Sequence, residues 1–330
     1  MPEPLLQVED LSVSFRTRQG AVAAVDGLSF AVSPGEVLGV VGESGSGKSV
    51  SMMSLLKLVR GPNVAVCGTA RFGGRDLLAL DDDELRAVRG REIAMIFQDP
   101  MTALTPVYTV GWHIAEQIRA HEPVSRAAAR QRAIRLLDEV GIAQAARRVD
   151  SYPHEFSGGM RQRAVIAMAL ACDPKLLIAD EPTTALDVTT QAQILDLMRQ
   201  LRQAHGSAII LITHDMGVVS EISDRVLVMY AGRAVEHAPR TELLRRPRHP
   251  YTWGLLDSVP RVTGPRVRRL ATIPGTASTV DNPLGCAFAP RCRYRFAACD
   301  ERPPLRGPAE HLDACWLPAD ARSALREPTP

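Results

Sequence analysis

The chain has 330 residues, 45% of them hydrophobic and 23% charged, with a formal net charge of +2. That length suits one large domain or two around a sizeable core, and the near-neutral balance gives no reason to expect nucleic acid or another polyanion as partner. The longest apolar run, Ala164 to Cys172, falls far short of a membrane span, and the amino terminus lacks a secretory pattern, so a cytosolic protein is expected.

In chain order, residues 5–36 alternate in the manner of strands (Leu6, Val8, Leu11, Val13, Phe15, then Val22, Ala24, Leu28, Phe30, Val32), with Gly20 and Ser33-Pro34-Gly35 as turns. They predict a small antiparallel β layer. Phe15 is a candidate for stacking on an adenine ring, because a flat π face holds a base without reading its edges; an ordinary core Phe fits the pattern as well. The run Val37-Leu38-Gly39-Val40-Val41 predicts the next strand. It leads into Gly42-Glu43-Ser44-Gly45-Ser46-Gly47-Lys48-Ser49, after which Val50 to Leu56 reads as a helix.

Strand, glycine-rich loop, Lys-Ser and helix in that order make a phosphate loop. Its glycines let successive N–H groups turn inward as an anion nest, and the helix N-terminus adds partial positive charge. Lys48 then reaches the β- and γ-phosphates, and the Ser49 hydroxyl ligates Mg2+.

A second β-rich piece follows at Ala65 to Gly74, then an acidic helix start at Asp81-Asp82-Asp83-Glu84 and the strand Ile93-Ala94-Met95-Ile96-Phe97, which ends at Gln98-Asp99-Pro100. From about 105 to 150 the pattern is helical and rich in Ala and Arg, an insertion into the α/β alternation. Phe156-Ser157-Gly158-Gly159-Met160-Arg161-Gln162-Arg163 opens a helix running through Leu170. Ser157 can cap it, and the free N–H groups of its first turn can hold an anion; a plain capped start fits equally.

Lys175 to Glu181 is an apolar strand ending in two carboxylates. Strand C-termini of a parallel sheet face the ligand crevice, which suits Asp180 as a magnesium holder and Glu181 as the group that polarises the attacking water. After a helix through Gln203, the strand Ala208 to Thr213 ends at His214, placed to contact a γ-phosphate. Val226 to Tyr230 and Ala234-Val235 read as a hairpin around Ala231-Gly232. Beyond about 240, Pro and Arg become frequent and periodicity fades, which predicts a smaller appended region.

These segments, over about residues 5–240, resemble the ATP-binding subunit of ABC transporters. The matching motifs are the loop 42–49, Gln98, Ser157-Gly158-Gly159, Asp180-Glu181, Asp187 within Ala185-Leu186-Asp187, and His214. The resemblance implies a P-loop NTPase fold: an α/β ABC ATPase core with an antiparallel β layer and a helical subdomain at about 100–170. Residues 1–240 would form the ATPase domain and 241–330 a small cysteine-bearing extension. It implies ATP and Mg2+ as ligands, with Gln98 beside Ser49 and Asp180 at the metal, Glu181, His214 and Gln98 in catalysis, and Asp187 near the nucleotide. It also implies a head-to-tail dimer in which Ser157, Gly158 and Gly159 of one subunit meet the γ-phosphate held by the other.

Phe156 and Met160 flanking the signature, the string Gln98 to Pro106 and His249-Pro250-Tyr251-Thr252 look like the oligopeptide/dipeptide importer branch. An ATPase of this branch would sit peripherally on the cytoplasmic face of the membrane. Its implied partners are two permease subunits, a second ATPase subunit (identical or homologous) and, indirectly, an extracytoplasmic solute-binding protein. Import of nickel or of glutathione uses closely similar ATPases. A soluble non-transport ABC protein would usually carry a second cassette or large inserted arms, and neither is visible; a regulatory or assembly ATPase is not excluded by the extension.

Six cysteines are present, four of them in the last 45 residues: Cys286, Cys292, Cys299 and Cys315, with five, six and fifteen residues between them. A structural zinc site usually shows a Cys pair two to four residues apart. The wider spacing suits four thiolates on a [4Fe–4S] cluster, which the resemblance also implies, while zinc and four free thiols are the competing readings. Arg291, Arg293 and Arg295 would offset the negative charge of such a cluster.

Overall fold

The structure, a computed structural model, describes residues 3–99, 103–184, 186–259, 272–275 and 284–326. Strands β1 (Leu6–Thr17) and β2 (Gly20–Val32) precede β3 (Val37–Val41) and helix α1 (Lys48–Leu55); β4 (Val64–Phe72), β5 (Arg75–Asp76), α2 (Asp82–Val88) and β6 (Ile93–Ile96) follow. A helical stretch comes next: α3 (Val110–His121), α4 (Arg126–Glu139), α5 (Ala145–Arg148) and α6 (Gly158–Ala169). Then β7 (Leu176–Asp180), α7 (Val188–His205), β8 (Ala208–Thr213) and α8 (Met216–Ile222) lead into β9 (Arg225–Tyr230) and β10 (Arg233–Pro239). The C-terminal part holds α9 (Arg240–Arg245), α10 (Pro250–Asp257), β11 (Leu312–Asp313) and α11 (Ala319–Leu325). Among the described residues no helix is long and apolar enough to cross a membrane.

Two compact units interleave along the chain. The first takes the described residues of 1–5, 32–37 and 79–212, and the second those of 6–31, 38–78 and 213–330.

In the first unit β6, β7 and β8 are parallel, in register Ile93 with Leu176 and Leu176 with Ala208. Every residue of β7 and β8 is buried. Strands covered on both faces need no polar side, which is why they read as continuous apolar runs. The helices of this unit start where a side chain can satisfy a free N–H of the first turn. Thr109, Ser125 and Ser157 cap α3, α4 and α6 by accepting from Trp112, Ala128 and Met160 N–H. Asp81 and Glu84 close a reciprocal capping box on α2.

The second unit contains the four-stranded antiparallel layer β2-β1-β4-β5, as residues 5–36 predict, with β4 and β5 completing it. It also contains β3 parallel to β9, with β10 antiparallel to β9 and β11 to β10. The C-terminal segments share one apolar cluster with this sheet: Val226, Val228 and Tyr230 pack with Tyr251, Leu255, Cys286 and Phe288. A polar pin fastens the same region. The fully buried Glu236 carboxylate accepts the N–H groups of Arg248 (2.7 Å) and His249 (3.0 Å) and lies 2.7 Å from His311 Nε2. A buried carboxylate is tolerated only when it is satisfied in this way.

Candidate functional site

The phosphate loop lies in the second unit, and two of its glycines, Gly42 and Gly47, leave no room for a side chain. A Cβ on Gly42 would meet the Met229 carbonyl oxygen at 2.2 Å, and Gly47, at φ +94°, would drive one to 2.4 Å from Ala24 O. Gly47 precedes α1 without any side-chain cap, and a helix N-terminus carries the partial positive charge that favours an anion. The Lys48 ammonium is buried and donates to Gly42 O (2.7 Å) and Glu43 O (2.9 Å). Ser49 is half-buried beside it, and Ser44 and Gly45 are exposed at the loop tip. Gly232 N–H ties the loop to the β9–β10 turn through Ser46 O (2.9 Å). Phe15 is half-buried near the end of β1, opposite Val64. His214, at the end of β8, is exposed.

In the first unit the structure brings Gln98 and Glu181 together. Gln98 Nε2 donates to Glu181 Oε2 (3.1 Å), and Thr184 Oγ1 donates to the same oxygen (2.8 Å). Asp180, the last residue of β7, is 4% exposed. Glu181 follows in the left-handed region at φ +48°, a conformation costly for a side chain with a Cβ and held by its surroundings, here the Glu181 N–H bond to Ile212 O (2.9 Å). Ser157 Oγ spends a lone pair on Met160 N–H (3.3 Å) and keeps its own proton for another acceptor. Asp187 caps α7, accepting from Thr190 N (3.0 Å) and Thr190 Oγ1 (2.6 Å); those bonds hold its carboxyl below the usual range. Pro100, Met101 and Thr102 of the string after Gln98, and Ala185, lie outside the described residues.

The four C-terminal cysteines line one small cavity with His249, Phe288, Tyr294 and Trp316. Cys286, Cys299 and Cys315 are buried and Cys292 half-buried, all as free thiols. Burial pushes the Cys292 thiol up to about 11 and Cys315 to about 12. Among the described residues no group of three or more His, Cys, Asp or Glu is placed to hold a metal ion. Arg291 and Arg295 are paired with carboxylates, whereas the positive charge of Arg293 favours the Cys292 thiolate, so the expected offset of charge at the thiols holds for Arg293. Arg291 pairs with Glu43 (2.6 Å), Arg293 lies over the Tyr294 ring (4.8 Å) and Arg295 pairs with Asp300 (2.8 Å).

Sequence reasoning did not place Thr184 beside Glu181, nor Tyr251 and Arg291 beside Glu43. Thr184 was within reach of such reasoning, three residues after Glu181 in a turn. Tyr251 and Arg291 stand 208 and 248 residues from Glu43, and no local signal links them.

The family model described as ABC transporter matches residues 25–184, and that described as oligopeptide/dipeptide transporter, C-terminal region, matches residues 235–299. A peptide ABC transporter ATP-binding protein of Sinorhizobium fredii is 52% identical over 316 residues, covering 94% of each chain. A peptide import ATP-binding protein of Brucella abortus is 51% identical over 322 residues, covering 94% of this chain and 95% of its own. Among solved structures, the ATP-binding cassette MJ0796, a dimer bound to ADP and Pi, superposes with a TM-score of 0.64 at 26% identity, over 71% of this chain and 98% of its own. The chain therefore belongs to the ABC transporter ATPase family, in the branch that carries the oligopeptide/dipeptide transporter C-terminal region.

Proposed function

We propose that the protein is the ATP-hydrolysing motor subunit of an importer for di- or oligopeptides, working on the cytoplasmic face of a membrane with two permease subunits. The observation that carries this reading is identity above 50% over nearly the whole chain to peptide-import ATPases, the C-terminal extension included. The ATPase domain is assigned to residues 1–240, with its helical subdomain at about 100–170, and the extension to 241–330.

In this reading residues Gly42 to Ser49 cradle the triphosphate, with Lys48 on the β- and γ-phosphates, Ser49, Asp180 and Gln98 at Mg2+, and Phe15 against the adenine. Glu181 takes a proton from the attacking water, and the bonds from Gln98 and Thr184 orient its carboxylate for that task. His214 contacts the γ-phosphate. Ser157, Gly158, Gly159 and Asp187 serve the nucleotide of a second ATPase subunit, identical or homologous, in a head-to-tail dimer. A solute-binding protein outside the membrane delivers the peptide to the permease.

The four thiols match a [4Fe–4S] cluster in kind and number and line one cavity, although among the described residues no group of three or more is placed to hold a metal ion. Cys286, Cys292, Cys299 and Cys315 would hold the cluster, and its contribution would be structural, cross-linking the extension.

The test is reconstitution with the permease and binding protein in liposomes. Peptide added on the binding-protein side should raise ATP hydrolysis and accumulate in an ATP-dependent way. Stimulation by nickel or glutathione and not by peptide would overturn the substrate assignment.

A further inference from the structure

The C-terminal extension reaches into the phosphate loop. Glu43, which follows Gly42, gives its carboxylate to Arg291 at two points, Nη1 to Oε2 (2.6 Å) and Nη2 to Oε1 (3.0 Å). The Arg291 side chain is only 8% exposed. Its other donors are also engaged, with Nε on Pro274 O (2.7 Å), Nη2 on Gly275 O (3.0 Å) and Nη1 on the Tyr230 hydroxyl (3.3 Å). The Glu43 N–H donates to the hydroxyl of fully buried Tyr251 (2.8 Å). With Lys48 on the Glu43 carbonyl (2.9 Å), every polar group of this loop residue is fixed, two of the three by the extension.

A carboxylate in that position is an electrostatic liability. It adds negative charge to a loop built to receive a polyphosphate, and like charges in partly dry surroundings repel more strongly than in water. A planar guanidinium held by two parallel bonds cancels that charge and fixes where the carboxylate points. The Tyr251 hydroxyl settles the direction of the Glu43 N–H before any nucleotide arrives, so less ordering remains to be done on binding.

We propose that Arg291 and Tyr251 are positioning residues of the nucleotide site: the extension neutralises Glu43 and pre-sets the phosphate loop, so ATP affinity depends on residues outside the ATPase motifs. The proposal rests on the reading of residues 42–49 as the nucleotide loop. Charge is its distinguishing feature, because a purely architectural Arg291 would matter equally whatever stood at position 43.

The experiment is calorimetric titration of the full chain with MgATP and MgADP, alongside steady-state hydrolysis. Arg291→Met should weaken ATP binding roughly 5- to 20-fold, the scale of one uncompensated unit charge about 10–15 Å from another at an effective dielectric of about 20. ADP should lose less, raised salt should narrow the gap, and the change should appear in KM rather than kcat. Arg291→Lys should recover most of the affinity. The decisive variant is Glu43→Gln with Arg291→Met, which should bind ATP more tightly than Arg291→Met alone and regain most of the affinity lost there. Tyr251→Phe keeps the packed ring and removes the acceptor, and should cost about two- to fivefold, the worth of one net hydrogen bond.

Unchanged affinity in Arg291→Met, or a double variant as weak as Arg291→Met, overturns the charge assignment even if Arg291→Lys binds normally. Unchanged affinity in Tyr251→Phe overturns the role of Tyr251. Lys48→Ala separates this from the underlying reading, since undiminished ATP binding there would remove the nucleotide loop itself.

Discussion

At the scale of single residues, Glu181 has the strongest claim to chemistry. Its carboxylate stands at the end of a buried strand, in a left-handed backbone conformation, with Gln98 and Thr184 donating to one oxygen. Glu181→Gln should keep ATP binding, because the loop 42–49 is untouched, and lower phosphate release by about 10²–10⁴-fold. Release within a few-fold of the wild type would remove Glu181 from the chemical step. The two signature glycines call for different treatment. A Cβ on Gly159 would approach Thr190 Cγ2 at 2.8 Å, whereas one on Gly158 meets nothing nearer than Leu186 Cδ2 at 3.9 Å. Gly159→Ala therefore strains the subunit itself, and Gly158→Ala is the cleaner probe of a second-subunit contact. It should leave single-site ATP binding intact and weaken ATP-dependent dimers, measured by size-exclusion with Glu181→Gln in the background; undiminished dimers would count against a trans role. The ATP motifs were legible because each is a short run whose spacing carries its own geometry. Arg291 and Tyr251 were not, since only the folded chain brings them to Glu43.

At the scale of elements, the parallel strands were legible as continuous apolar runs, and two helix starts as the acidic run Asp81 to Glu84 and the cap Ser157. The extension was not. Its elements are short, and they are held by side chains that pair across long gaps, such as Glu236 with His311 and Asp26 with Arg302 (3.3 Å). No period of two or of 3.6 reports that kind of packing. The cysteines are the exception, because four thiols in a short stretch mark a common site from spacing alone. On the proposed reading the cluster would sit among them, beside Phe288, Tyr294 and Trp316. Protein purified without oxygen should contain iron and acid-labile sulfide near four atoms of each per chain, as a [4Fe–4S] cluster requires. Cys299→Ser should lose most of both, and Trp316 fluorescence should report loosening of the extension. A colourless protein with one zinc and no iron would refute the cluster.

At the scale of the whole molecule, a motor subunit must pass its nucleotide state to another protein, and the first unit presents a surface suited to that. Val107 is 69% exposed, Tyr108 44% and Trp112 42%. The last two rings stack at 3.9 Å with their planes 14° apart, and Trp112 also lines a groove with Ala115, Arg119, Arg130 and Asp150. Isolated exposed apolar side chains are ordinary, but stacked aromatics beside a groove with charged walls are the composition of an interface. They follow Gln98 by about ten residues in the sequence, and Gln98 itself bonds to Glu181, the carboxylate proposed for catalysis. A link between the two is what would let hydrolysis and a partner's motion bias each other. Replacing Tyr108 and Trp112 together by Ala removes the aromatic face and leaves the bonds of Glu181 in place. Peptide uptake by the reconstituted complex should fall at least tenfold, as expected when interface anchors worth more than about 1.4 kcal/mol are lost. Basal hydrolysis by the isolated ATPase should stay within twofold of the wild type. Full uptake by the double variant would show that the permease docks elsewhere, and a parallel loss of basal hydrolysis would mean that these aromatics support the ATP site rather than the coupling.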